Sequence, residues 1–224
     1  LLQRNYESLI APNDENTYAT NHLEIHEAIN EKLALADYSL SIAPFLNTIN
    51  DGDSIGHEMA IEAALIFQIS SHDENATEVF GSWDYLSHQV VASPFKPVDY
   101  IDKMDIFGYS YIPTQRPTIA KYLVIELKKG TVTEQDLFQL MKYVDWVKTE
   151  YSLGDYSMIN AFLVGHAFED ACITELTEKV ERNFIYGVRP STAKVWKNVK
   201  LVRYSYNEND EKLDFEITAD ANLI

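Results

Sequence analysis

The chain has 224 residues, 46% of them hydrophobic, enough to bury one core of moderate size, so a single domain is the default. No apolar run approaches the roughly 20 residues of a bilayer span, and the single cysteine, Cys172, excludes an internal disulfide and fits a reducing, cytoplasmic setting. A net charge of −17 argues against a surface that attracts polyanions everywhere.

The opening LLQRNYESL has neither the basic start nor the apolar centre of a signal peptide, and no initiator Met. The chain therefore reads as an excerpt or a processed product, with a further domain expected outside it. Residues 17–36, with Leu23, Ile25, Ala28, Ile29, Leu33 and Leu35, predict a helix. His22 and His26 stand at i and i+4 on it, a zinc-compatible spacing with no third ligand in view, and they read as surface residues. DYSLSIAPFLNTI is a short apolar segment closed by the turn-rich residues 50–54. A second helix is expected from 55 to about 69, where GHEMAIEAALIFQI puts Glu58 and Glu62 on one face. Apolar residues nearly encircle this helix, so it is buried and its carboxylates need partners. Residues 1–55 thus form an N-terminal helical segment packed on a domain at 56–224.

SSHDENATEVFGSW reads as a polar connection and YLSHQVVASPF as a first strand. MDIFGY puts Asp105 at the start of an apolar, aromatic run, with Phe107 and Tyr109 on its own side. IPTQRPT is then the turn of a hairpin that returns through YLVIELKKG. Five of the first six residues of that return are apolar, which suits a doubly buried strand. Glu126 and Lys128 end it on one face, one pleat apart, and the hairpin brings Asp105 back towards Glu126. Thr133 and Asp136 make a capping-box-like start, an Asp standing where Glu or Gln is usual. The helix that follows carries Leu137, Leu140, Met141, Val144 and Val147 on one stripe, with Gln139 and Tyr143 on its flank. A strand over 158–164 ends at His166, a rim position. A helix over 170–182 carries Cys172, which reads as a core residue. LVRYSYN and KLDFEITAD form a terminal hairpin across an acidic turn. No Gly-rich phosphate loop occurs, so an NTP-driven activity has no support.

The series of acid, hairpin, E-x-K strand and Gln-bearing helix resembles the PD-(D/E)XK nuclease superfamily, most closely its mismatch-type and restriction-type endonuclease branches. The matching residues are Asp105, Glu126, Lys128 and Gln139, with Glu58 or Glu62 as the acid on the upstream helix. The Pro of the family's name is absent before Asp105, where Lys103 and Met104 stand. The resemblance covers residues 56–167. It implies an α/β fold: a central mixed β-sheet flanked by α-helices, here with an extra N-terminal helical segment and a C-terminal β-hairpin. It also implies a metal-dependent endonuclease that cuts DNA, in a restriction or defence system.

Phosphodiester cleavage needs an activated water and a shielded phosphate. Mg²⁺, or Mn²⁺ in its place, takes oxygen ligands and is typically held by one or two carboxylates. Asp105 and Glu126 are the expected ligands, and the resemblance adds the carbonyl of Leu127. Glu58, on the first turn after Gly56, or Glu62 would hold a second metal or a metal-bound water. Lys128 would orient or deprotonate the attacking water or stabilise developing charge. Gln139 would bond a water or a phosphate.

The cations concentrate in Lys179, Arg182, Arg189, Lys194, Lys197, Lys200 and Arg203, against the single acid Glu181, with Phe184, Tyr186 and Trp196 interleaved. Arg189, Lys194, Lys197 and Lys200 are the expected nucleic-acid contacts on an otherwise acidic body. A double-strand cut calls for two active sites, hence a homodimer. The alternatives are an inactive nuclease-like domain used for binding or assembly, and an RNA-cleaving member.

Overall fold

The computed structural model describes residues 41–92, 102–187 and 189–223. The helix expected over 17–36, with His22 and His26, lies outside them, as do residues 93–95 of the first-strand stretch. The chain divides into two compact units, Leu1–Ser41 and Ile42–Ile224, and the site residues all fall in the second.

That unit opens with helix α1 (Ala43–Ile49), which carries Pro44 in its first turn, where a missing N–H breaks no bond. The 50–54 turn then forms a small hairpin, β1 (Asn50–Asp51) with β2 (Ser54–Ile55), and Gly52 supplies the positive φ of 66°. Helix α2 (Glu58–Ser70) begins three residues later than expected, because Ile55 pairs in β2 and His57 is extended. The stretch expected as a polar connection contains a helix, α3 (Glu74–Phe80). Asp73 caps it through the Ala76 N–H, and Ala76, Val79 and Phe80 line its buried side.

The chain continues through β3 (Tyr85–Val91), β4 (Lys103–Tyr111), β5 (Ile119–Leu127) and β6 (Thr131–Val132) to helix α4 (Glu134–Glu150). Then come β7 (Ile159–Gly165) and β8 (Ala167–Phe168). The single helix expected over 170–182 is two short ones, α5 (Asp170–Thr174) and α6 (Leu176–Val180), broken at Glu175. Arg182 does not end a helix but opens a strand, because RNFIY is rich in residues that fit a pleated surface. It gives β9 (Arg182–Tyr186), which pairs with β10 (Thr192–Trp196) as an antiparallel ribbon. β11 (Val199–Asn207) and β12 (Lys212–Asp220) close the chain.

The main sheet has six strands in the order β12-β11-β7-β5-β4-β3. β11, β7 and β5 run parallel and the outer pairings are antiparallel, so the fold is α/β with a mixed sheet, as the resemblance implies. The parallel step from β5 to β7 needs a crossover, and α4 supplies it. The expected terminal hairpin is the edge of this sheet. Helices cover both faces. On one, Leu137, Leu140, Met141, Tyr143, Val144 and Val147 of α4 pack over Tyr122, Val124 and Leu163. On the other, Ala60, Ile61, Ala64 and Leu65 of α2 and Phe80 of α3 pack over Leu123, Ile125, Leu127, Phe162 and Val164. β5 is therefore buried on both sides, as its run of apolar residues requires. Among the described residues, no helix is long and apolar enough to cross a membrane.

Candidate active site

The ends of β4 and β5 bring Asp105 opposite Glu126. The β4–β5 ladder runs only as far as Ile106 with Ile125, one step short of that pair. Instead, the Leu127 N–H donates to Asp105 Oδ2 at 2.8 Å. On the other side of β4, His88 pairs with Ile106 and Val90 with Met104, and the pairing passes over Gln89 and Asp105. Gln89 takes a left-handed φ of 53°, uncommon for a residue with a side chain, and its amide donates to both Glu62 Oε2 (3.1 Å) and Asp105 Oδ1 (3.2 Å). The sheet thus opens at Asp105 on both edges, and the opening is lined by carboxylates.

Glu126 is 1% exposed. Its Oε1 lies 2.7 Å from Lys128 Nζ, while Oε2 is buried without a hydrogen-bond partner among the described residues. Burial first, and then the negative charge of Asp105, push the Glu126 carboxyl up to about 8. Burial likewise raises Asp105, against the Leu127 N–H and the Lys128 charge, which pull it down. Burial pushes the Lys128 ammonium down, but Glu126, Asp105 and Glu58 outweigh it and the net shift is upward. Lys128 is therefore a stable cation here. Its second anion, at 3.9 Å, is Asp136 Oδ1. The other Asp136 oxygen receives the N–H and the hydroxyl of Thr133, so Asp does serve in the capping box.

Glu58 and Glu62 approach from α2 by different routes. Glu58 Oε1 accepts the Lys129 N–H at 3.3 Å, and its charge acts on both Asp105 and Lys128. Glu62, 5% exposed, is bound by Gln89 and lies 2.9 Å from His88 Nδ1. Burial raises its pKa, and Asp105 adds to the rise. Gln139 does not reach the carboxylates; its amide donates to Tyr143 at 2.8 Å. Burial raises the Tyr143 hydroxyl pKa, with the Glu126 charge as the next cause.

Gln89, His88, Asp136 and Tyr143 were not assigned to the site from sequence. The signal for the first two was available: a polar pair, HQ, inside the apolar strand YLSHQVV.

Among the described residues, no group of three His, Cys, Asp or Glu side chains is disposed to hold a metal ion. The set that converges is two carboxylates, Asp105 and Glu126. That suits a hard cation which keeps most of its waters, and not a zinc site, which takes three or four protein ligands. The unpartnered Glu126 Oε2 and the mutual repulsion of the two acids are what a divalent cation would relieve. The Leu127 carbonyl belongs to the same strand end as the N–H that holds Asp105.

The expected nucleic-acid contacts lie elsewhere. Trp196 Nε1 donates to the Ile159 carbonyl at 3.1 Å, and Ile159 pairs with Tyr122, so the β9–β10 ribbon is rooted at the far end of β5. Six residues at ~3.3 Å each separate Tyr122 from Lys128, roughly 20 Å. Arg189 and Lys194 are on this ribbon, Lys194 over the Tyr186 ring at 3.7 Å, and Lys197 just follows it. Lys200 lies 3.8 Å from Asp220.

No family model and no curated protein matches the chain. Among solved structures, it is similar to a repair endonuclease from Pyrococcus abyssi, at 19% identity over 65% of this chain and 46% of that one, with a TM-score of 0.34. It is also similar to EndoMS in its complex with double-stranded DNA, at 17% identity over 61% and 42%, with a TM-score of 0.30. The chain spans under half the length of each.

Proposed function

We propose that this chain is a metal-dependent endonuclease that hydrolyses DNA phosphodiester bonds, in a restriction-type or mismatch-type role and in the cytoplasm. The observation that carries the reading is the meeting of Asp105, Glu126 and Lys128 where the sheet opens. A buried carboxylate and a half-buried one in mutual repulsion, the first with an oxygen that lacks a partner among the described residues, are costly to a fold that gains nothing from them. The names of the two similar structures, a repair endonuclease and a protein in complex with double-stranded DNA, agree with this reading.

Asp105, Glu126 and the Leu127 carbonyl would hold Mg²⁺ or Mn²⁺. When bound, the cation supplies Lewis acidity to the phosphate and a water of lowered pKa. Asp105 is held for its part by the Leu127 N–H and the Gln89 amide. Lys128, a cation steadied by Glu126 and Asp136, stabilises negative charge that develops on the phosphate. Glu58 and Glu62 add negative potential beside Asp105, and Glu58 fixes the backbone at Lys129. Gln139, with Tyr143, orders the α4 side of the opening. Arg189, Lys194, Lys197 and Lys200 provide non-specific contacts to DNA away from the cut, and two copies of the chain act on a duplex.

The test is nicking of supercoiled plasmid with Mg²⁺ or Mn²⁺, wild type beside Lys128→Ala and Asp105→Asn. Nicking by wild type alone is the expected result. Equal nicking by all three would remove these residues from the reaction, and none by any would favour a binding module.

A further inference from the structure

One strand beyond Lys128, on the same end of the sheet, a histidine and an arginine share a single carboxylate that the reaction above does not use. The Lys128 N–H donates to the Val164 carbonyl at 2.9 Å, and the His166 N–H donates to the Gly130 carbonyl at 3.1 Å. His166 is thus set beside the residues that follow the E-x-K strand. Gly165 pairs in parallel with Arg203 of β11. The two side chains converge on Asp53, which lies 3.5 Å from His166 Nε2 and 3.8 Å from Arg203 Nη2.

The scaffold under this pair is firm. The Tyr204 hydroxyl donates to the Lys129 carbonyl at 2.5 Å and accepts the Ile55 N–H at 3.4 Å, and its ring lies 5.6 Å from that of His166. Asp53 is the opposite case, standing next to Gly52 in the turn of the β1–β2 hairpin with its side chain 60% exposed. Exposed ion pairs at such distances contribute only about 0–1 kcal/mol, so little holds the carboxylate in place. His166 Nδ1 is buried without a partner among the described residues, which leaves Nε2 as the nitrogen the ring offers to an anion.

We propose that His166 and Arg203 form a binding site for a backbone phosphate of DNA, and that Asp53 occupies it as an intramolecular stand-in that the phosphate displaces. A carboxylate and a phosphodiester each offer two acceptor oxygens to a guanidinium fork, so the group in the site now marks the chemistry of its replacement. From β5 through β7 to β11 is two inter-strand steps of ~4.8 Å, roughly 10 Å. Across that span a strand cut at Lys128 would present a neighbouring backbone phosphate to Arg203.

This inference rests on the nuclease reading, and two separate measurements keep them apart. Binding of a short fluorescein-labelled DNA duplex is followed by anisotropy in metal-free buffer, across a salt series. Arg203→Ser is expected to weaken binding about tenfold and to reduce the salt slope by about one. His166→Gln is expected to weaken it less. Asp53→Asn, on an exposed turn where folding is not at risk, is expected to tighten binding several-fold. Displacement requires the Asp53→Asn gain to vanish in the Arg203→Ser background, where a general change of net charge would persist. If Asp53→Asn binds no tighter than wild type, or Arg203→Ser no weaker, the site is overturned. Plasmid nicking is scored independently. Nicking with unchanged binding in the variants sinks the phosphate site and leaves the nuclease; the predicted opposite shifts without nicking do the reverse.

Discussion

The two ends of the parallel strands treat charge in opposite ways. Around Lys128, the carboxylates of Asp105, Glu126 and Asp136 are buried or half-buried and each is gripped: Asp105 by a backbone N–H and an amide, Glu126 by an ammonium, Asp136 by a helix cap. At the ribbon end, Arg189, Lys194 and Lys197 have no carboxylate partner among the described residues, and Ile185 and Val195 are 72% and 55% exposed. The ribbon is anchored by little more than Phe184, Trp196 and the Arg182–Asp145 pair. Constraint is thus concentrated where the fold loses by it, around like charges. A fold keeps such a liability when the charges act together, and the ribbon end carries none of it.

The contrast predicts a descending series of effects. Removing the charge of Lys128 or Glu126 (Lys128→Ala, Glu126→Gln) should lower the plasmid-nicking rate by about 10²- to 10⁴-fold. Next comes Mn²⁺. A ligand at a hundred times its Kd stabilises by ~2.7 kcal/mol, and ~2–4 °C per kcal/mol at this size gives a rise of roughly 5–10 °C in Tm. Asp105→Asn should abolish that rise in a thermal melt.

The pH dependence of the metal-free protein follows in size. Burial pushes the Glu126 carboxyl from its ordinary 4.5 up to about 8 in the folded state. Between those values the folded state binds more protons than the unfolded one, so stability should fall as pH rises through this window. Urea titrations at several pH values should show the decline, and Glu126→Gln should flatten it. Smallest of all, Ile185→Ser and Val195→Ser should leave stability within about 0.5 kcal/mol. A large drop in Tm would mean that the ribbon is not the loosely held element described.

What the sequence disclosed was local. Glu126 and Lys128 are two apart, Thr133 and Asp136 three apart, and the hairpin turn lies between them and Asp105, so strand and helix periods sufficed to align them. The stripe of α4 was legible for the same reason. Helix α3 was not, because one turn of burial at Ala76, Val79 and Phe80 is hidden in a polar stretch. Gln89 was missed because its part in the site depends on a left-handed backbone and on two carboxylates from other elements. The basic stretch showed its charge but not its whereabouts. Lys200 meets Asp220 through strand pairing, Arg203 meets Asp53 from the other end of the unit, and Lys194 lies over the Tyr186 ring on a ribbon that also carries Arg189.

Asp136 has one further consequence. One of its oxygens fixes the first turn of α4 and the other faces Lys128. Helix and amine are therefore yoked through one side chain: a displacement of α4 along its axis would carry the lysine's counter-ion with it. Pressure on the outer surface of that helix, where Phe138 is exposed, has a mechanical route to the Lys128 end of the sheet.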